Sequence, residues 1–270
     1  MESISGENMR FGLMVIGDEI LNGSHTDAHF GAVREMLEAR GLRLAWVEYV
    51  ADVPSEIIAR LKRSFAESTP VFVTGGIGAT PDDHTRQAAA DALEVPLALH
   101  PEAAQFIIEL SEKRGDDLNS AIHLQRLNMA NFPAGAGIIP NPFNTVAGFH
   151  VQHHYFVPGF PVMAHPMLEW VLDTLYADEF FKERHAHLSA HVYGLQESQI
   201  APLMIATEHD FKGVNTYSLP KIAQDATDST EAKRYHIELG VKANGEACAL
   251  LDAAWDRLKS EVRDLGGEVV

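Results

Sequence analysis

The sequence predicts an α/β fold: a largely parallel sheet with helices on both faces over residues 1–178, followed by a small α+β domain over residues 187–270. Three observations carry this expectation. Short apolar runs alternate with helix-spaced segments from Phe11 to Leu93, a polar stretch at Ala177–Ala186 interrupts the pattern, and shorter strand-like and helix-like segments resume after Leu188. Parallel neighbours need long crossovers, which the intervening helical segments supply.

The elements follow in order. Phe11–Ile16 is apolar with β-branched members and reads as a buried strand that stops at Gly17, where Asp18 and Glu19 begin a polar run. Thr26–Arg40 places Phe30, Val33 and Leu37 at helical spacing, and Gly41 is the residue type favoured just past a helix. Leu42–Val50 is strand-like, Asp52 is placed to cap the next helix, and Pro54 suits a first helical turn. Val71–Thr74 is a third strand, and a helix is expected from near Pro81 to about Leu93.

Pro101–Arg114 and Ser120–Ala130 read as helices, then Gly137–Ile139, Gly148–Val151 and Tyr155–Val157 as strands or a hairpin, with His153-His154 in a turn. The loop Pro158-Gly159-Phe160-Pro161 leads into a helix reaching Tyr176. The second domain reads β-α-β-β-α: Leu188–Tyr193, Glu197–Thr207, Val214–Ser218, the alternation of Tyr235, Ile237, Leu239 and Val241, and Glu246–Leu265.

Composition narrows the function classes. With 38 acidic against 21 basic side chains the formal charge is -17, concentrated before residue 181, which repels phosphodiester backbones and disfavours a nucleic-acid partner. The single cysteine, Cys248, forms no internal disulfide and builds no thiolate zinc cluster. Met1–Arg10 is polar and lacks the apolar core of a signal peptide, and no apolar run reaches membrane-span length, so a cytoplasmic protein without membrane association is expected. The histidines, including His185, His187 and His191, lack the helical His-Glu-x-x-His spacing, and zinc is not expected.

The strongest local signal is Thr74-Gly75-Gly76-Ile77-Gly78-Ala79-Thr80-Pro81-Asp82-Asp83. Its glycines let backbone N–H groups approach an anion without Cβ obstruction, and a helix starting near Pro81 adds the positive end of its dipole. Thr74 and Thr80 offer hydroxyls, so Thr74, Gly75, Gly76, Gly78 and Thr80 are the candidate phosphate contacts. The plainer alternative is a sharp strand-to-helix turn. The spacing fits neither the P-loop nor the Gly-x-Gly-x-x-Gly dinucleotide pattern. On such sheets ligands bind beyond the carboxyl ends of the strands, where Gly17-Asp18-Glu19 also falls. Asp18, Glu19, Asp52, Asp82 and Asp83 would repel a phosphate unless a divalent cation such as Mg²⁺ bridges them to it, so Asp18, Glu19 and Asp82 are candidate metal ligands. Asp52 and Asp82 serve equally well as stabilisers of helix N-termini.

Gly17-Asp18-Glu19-Ile20-Leu21-Asn22-Gly23, Thr74–Gly78 and Thr80-Pro81-Asp82-Asp83-His84-Thr85 resemble the paired signature of the molybdopterin-binding domain, and in particular the N-terminal region of the competence/damage-inducible protein A (CinA) family. Arg126–Ala130, Asn141-Pro142-Phe143-Asn144, Gly148-Phe149 and Pro158–Pro161 extend the match over about Phe11–Leu175, and Gly194-Leu195-Gln196-Glu197-Ser198 resembles a segment of the family's following small domain. The resemblance implies ligand contacts at Gly17, Asn144, Pro158 and Gly159 and functional carboxylates at Asp52 and Asp83. It implies molybdopterin, or a metal-dependent reaction on a nucleotide pyrophosphate such as ADP-ribose, as the chemistry; a non-catalytic molybdopterin- or nucleotide-binding protein is the alternative. The expected partners are a small phosphorylated molecule and further copies of the chain, as a dimer or trimer. Longer family members carry a deamidase domain, which a chain ending here is expected to lack. The chain departs from the family pattern at Ile77 and Ala79, where Leu and Pro are usual, and at Ala147, where Pro is common.

Overall fold

The computed structural model describes residues 9–182, 184–221 and 236–270; the first eight residues, Glu183 and Tyr235 lie outside the described residues. The chain divides between Phe180 and Phe181 into two compact units.

In the first unit the apolar runs form strands β1 (Arg10–Ile16), β2 (Arg43–Val50) and β3 (Val71–Thr74), separated by helices α1 (Asp18–Leu21), α2 (His29–Glu38) and α3 (Pro54–Phe65). Then come α4 (Thr85–Leu93), β4 (Leu97–Leu99), α5 (Pro101–Arg114), α6 (Ala121–Leu127), β5 (Asn131–Pro133), β6 (Gly137–Ile139), β7 (Gly148–Val151), β8 (His154–Val157) and α7 (Pro161–Leu175). The main sheet has the order β2-β1-β3-β8-β7-β6. Its first four strands are mutually parallel, and β7 runs antiparallel to both β8 and β6. Strands β4 and β5 form a separate antiparallel ribbon.

Strand alternation sends successive side chains of the central strands into two cores, which is why β1 after Arg10 and β3 are almost wholly apolar. Met14, Ile16, Val71 and Val73 pack with Ile57 and Leu61 of α3 and Ala88 and Ala89 of α4. Phe11, Leu13, Val15 and Phe72 pack on the other face with Val33 and Leu37 of α2 and Ala164 and Leu168 of α7. The α/β class with a mostly parallel sheet is therefore as the sequence predicts.

Several local expectations are corrected. The segment before α2 carries a short helix, α1, that the apolar spacing does not reveal. Helix α4 begins at Thr85, and Pro81–Asp83 belong to a turn, so no helix N-terminus faces the loop at Pro81. Asp52 does not cap α3; the cap position is Val53, without a side-chain bond. His154 is the first residue of β8, buried, with Nε2 2.8 Å from Ser64 Oγ, rather than part of a turn. Strands β4 and β5 were not expected, being only three residues each.

The second unit is a four-stranded antiparallel sheet of order β10-β11-β9-β12, built from β9 (His185–Tyr193), β10 (Val214–Lys221), β11 (His236–Asn244) and β12 (Glu268–Val269). Helices α8 (Glu197–Asp210) and α9 (Leu251–Asp264) contribute Ile200, Leu258 and Val262 to a core with Val192, Ile237, Leu239 and Val241. Among the described residues no helix is long and apolar enough to cross a membrane.

Candidate phosphate-binding site

The parallel register fixes where the loops emerge. Val15 lies opposite Thr74, Ile16 opposite Val50 and Thr74 opposite Val157, so β2, β1, β3 and β8 end in one line. The Gly17 amide donates to Val50 O and the Gly75 amide to Val157 O, 3.0 Å each. Gly17-Asp18-Glu19, Asp52, the Gly75–Asp83 loop and Pro158-Gly159 therefore share one edge of the sheet, as the sequence predicts for Gly17-Asp18-Glu19 and the glycine loop.

Two carboxylates clasp each other's turn there. The Asp18 amide donates to Asp52 Oδ2 at 2.9 Å, and the Asp52 amide donates to Asp18 Oδ1 at 3.2 Å. Each keeps its second oxygen outside this exchange. The Asp52 carboxyl is held above its usual range by burial, and further by the negative charges of Asp18, Glu19 and Asp82, against the lowering effect of the Asp18 amide. Glu19 folds its carboxylate over Gly17, where an added Cβ would meet Oε1 at 2.7 Å. Asp82 is exposed on the turn.

The glycine loop is shaped from within. Gly75 and Gly76 have φ of 99° and 66°, in the left-handed region, and Cβ atoms there would lie 2.1 Å from Ile16 O and 2.2 Å from Thr85 Oγ1. Its carbonyls turn inward to donors: Thr85 Oγ1 to Gly75 O at 2.9 Å, the Thr85 amide to Gly76 O at 2.9 Å, Arg86 Nη2 to Gly78 O at 2.6 Å and Gln125 Nε2 to Ala79 O at 2.6 Å. The amides of Gly76, Ile77 and Ala79 donate to no acceptor among the described residues. Gly76 and Ile77 thus supply two neighbouring free amides and Ala79 a third, beyond the Gly78 amide that Asp83 occupies, and free amides grouped in a glycine turn are the kind of donors that can hold an anion.

Asp83 accepts from the Gly78 amide at 2.8 Å, the Thr80 amide at 2.7 Å and Thr80 Oγ1 at 2.5 Å. Both its oxygens are thereby engaged in holding the loop, and the Thr80 hydroxyl is engaged with it rather than free for a ligand. Thr74 Oγ1 is buried without a partner on the Phe72 side of the sheet, below the loop rather than in it. Arg86 escaped the sequence reading. Its buried guanidinium also donates to Asn128 O, and burial lowers its pKa against the raising effect of Asp83. Its only sequence signal is a cationic side chain in the first turn of an alanine-rich helix.

Gly159 sits close to Gly75: a Cβ on it would lie 3.5 Å from Gly75 Cα. Its carbonyl accepts from Nε2 of buried His29 at 2.9 Å, a second residue that spacing alone did not single out. Pro158 follows β8 directly and turns the chain toward α7. Asn144 shapes its own turn, accepting from Asn141 Nδ2 at 2.9 Å and the Val146 amide at 3.0 Å, and its Nδ2 lies 3.3 Å from Met163 Sδ in the first turn of α7.

A mostly parallel sheet whose strand ends carry a glycine loop and two clasped carboxylates defines an open α/β domain, and residues 12–177 match the family model described as "Probable molybdopterin binding domain". The chain belongs to this molybdopterin-binding domain family. It is 33% identical over 201 residues to a CinA-like protein of Citrifermentans bemidjiense, covering 73% of this chain and 47% of that one. To a CinA-like protein of Geobacter sulfurreducens it is 34% identical over 215 residues, covering 76% and 50%. The chain thus spans about half the length of these curated relatives. A crystal structure described as CinA of unknown function from Thermoplasma acidophilum superposes with TM-score 0.54 at 26% identity, covering 62% of this chain and 97% of that one.

Proposed function

We propose that the chain binds a small phosphorylated heterocyclic molecule at the Gly75–Asp83 loop and hydrolyses a nucleotide pyrophosphate such as ADP-ribose with a divalent cation. The observation that supports this reading is the set of unpartnered amides at Gly76, Ile77 and Ala79 beside the Asp18–Asp52 clasp. The donor set suits Mg²⁺, which takes one or two carboxylates and completes its shell with water and substrate phosphate. Asp18 and Asp52 would hold it through their second oxygens, and a cation would relieve the negative charge of Asp18, Glu19 and Asp82 that adds to burial in raising Asp52. Glu19 and Asp82 add charge at the rim. When bound, the ion supplies charge neutralisation and polarisation of a phosphoryl oxygen.

The chain's own residues do the rest. The loop amides orient one phosphate; Asp83, Thr85 and Arg86 keep the loop in shape; His29 fixes the Gly159 carbonyl against it. Asp83 is thus a positioning residue in this reading, not the group that activates water. Hydrolysis adds a water oxygen to one phosphorus as the bridging P–O bond breaks, releasing AMP and ribose 5-phosphate. Chromatography of ADP-ribose incubated with protein and Mg²⁺ or Mn²⁺ tests this, and absence of both products with every metal removes it.

A second reading is a binding protein without hydrolysis, with molybdopterin or a nucleotide as ligand. It is favoured by the absence, among the described residues, of three His, Cys, Asp or Glu side chains arranged to hold a metal unaided. Calorimetry showing tight binding without turnover would select it. In either reading the protein works as a cytoplasmic homo-oligomer, dimer or trimer, without a nucleic-acid partner, which sedimentation and a salt-dependent RNA competition assay address.

A further inference from the structure

The sheet of the second unit has two unlike faces. Ala186, Leu188, Ala190 and Val192 of β9, with Ile237, Leu239, Val241 and Ala243 of β11, pack into the core beneath α8 and α9. Strand alternation therefore sends His187, His191 and Tyr193 of β9 and His236, Glu238 and Lys242 of β11 to the opposite face. These are the two central strands, so histidines from both meet in the middle of that face.

The antiparallel register decides which of them meet. His191 lies opposite Glu238 and Tyr193 opposite His236, which makes His191 and His236 diagonal neighbours. Their ring centroids are 5.1 Å apart, with the planes at 78°. Tyr193 stacks on His236 at 5.0 Å and so orients that imidazole. Glu238 neighbours both histidines on this face. The hydrogen bond from Lys221 holds its carboxyl below the usual range, with the charges of Lys221, His191 and His187 adding to the effect, so it stands there as an anion. His191 is exposed, and His236 and Glu238 are half-buried.

Two imidazoles at this separation suit one metal ion. Zinc binds imidazole nitrogen at about 2.0–2.1 Å with tetrahedral geometry, which places the centres of two bound rings about 5 Å apart. Imidazole nitrogen selects Zn²⁺, Cu²⁺ or Ni²⁺, whereas Mg²⁺ takes oxygen. We infer that His191 and His236 form a binding site for a divalent late transition-metal ion, zinc in particular, with Glu238 beside it. No third His, Cys, Asp or Glu is arranged to complete the set among the described residues, so water fills the remaining positions. The ion staples β9 to β11 on the face away from the helices. The site does not depend on the phosphate reading, and its nitrogen donors are chemically unlike the oxygens of the Asp18–Asp52 clasp. Spacing along one segment does not reveal it, because the second histidine comes from the neighbouring strand rather than from the next helical turn.

The test titrates Zn²⁺ into the full chain, stripped of metal by chelation, in a calorimeter with Mg²⁺ in excess to occupy oxygen sites. Wild type is expected to bind zinc, and His191→Ala and His236→Ala are each expected to weaken that binding at least about tenfold. His209→Ala, which removes an exposed histidine of α8, should stay within about twofold of wild type. Thermal scans give a second readout: an ion that binds only the native state raises the melting temperature of wild type and leaves both variants unmoved. Should an alanine variant melt below wild type without zinc, His191→Gln or His236→Gln replaces it. No zinc binding by wild type, or wild-type affinity retained in either variant, would overturn the site. Binding lost instead in His165→Ala, whose ring lies 5.4 Å from that of His29, would also overturn it, by placing the ion in the first unit.

Discussion

At the scale of single residues, the carboxylates near the loop divide by what already satisfies them. Asp83 takes three donors from its own loop, so Asp83→Ala strands the Gly78 and Thr80 amides and is expected to cost about 1–3 kcal/mol together with most of the phosphate affinity. Asp83→Asn should fall between, because an amide nitrogen cannot accept from Thr80; urea titration of the three proteins checks the order. Asp52 has the opposite character. Its carboxyl is raised above the ordinary value of 3.8 by burial and by neighbouring charge, so the native chain holds this proton more tightly than the unfolded one. Stability from this group falls as pH rises from about 3.8 through the raised value, and stays lowered at neutral pH. Asp52→Asn keeps an acceptor for the Asp18 amide and removes the repulsion, so it should melt higher than wild type at pH 7, with the gain shrinking toward pH 3; a gain larger at pH 3 would contradict this. The acidic positions were legible because charge beside a glycine turn needs an explanation. Which carboxylate folds inward was not, since that depends on the Pro81–Asp83 turn that delays α4 to Thr85. His29 and Arg86 were illegible for a related reason: both act through carbonyls, which every residue has.

At the scale of elements, the strand-to-helix turns carry the strictest demands. Gly75→Ala would force a side chain into positive φ and onto Ile16 O, so a loss of about 1–3 kcal/mol from backbone strain, plus the displacement of β1, is expected in a chemical melt. Strand β8 sets a pH limit at the far end of the sheet. Burial, with the charge of His153 adding to it, pushes His154 down from 6.5 to about 3. The folded state therefore keeps it neutral, stability is full above pH 6.5, and up to tenfold in the folding constant is lost per unit as pH falls toward 3. His154→Gln, which can still meet Ser64, should show a shallower slope between pH 6 and pH 4. The central parallel strands β1 and β3 were readable because they are buried on both faces and so almost wholly apolar, whereas edge strand β2, with Arg43 and Glu48, is only partly so. The ribbon of β4 and β5 was not, as three-residue strands carry too few alternations to distinguish from loop.

At the scale of the whole molecule, the two units have separate cores, and a defect in one should be felt there first. Leu239 is fully buried in the middle of the second unit's sheet, so Leu239→Ala should cost about 2–5 kcal/mol in that unit. Calorimetric scans should show one transition lowered, with AMP affinity retained; loss of both together would mean the units do not unfold separately. The overall alternation of strands and helices was legible from spacing alone, whereas the final strand β12, two residues long, had no pattern to announce it.

The Asp18–Asp52 clasp has a consequence for affinity. Because each turn is sewn to its neighbour by the other's main chain, the mouth between β1 and β2 has its width set while the protein is still empty. A guest arriving there meets a rigid frame and forfeits less freedom in the host than it would on entering a loose one, so cutting a stitch at Asp18 should slow capture and hasten escape even for ligands that never touch that side chain.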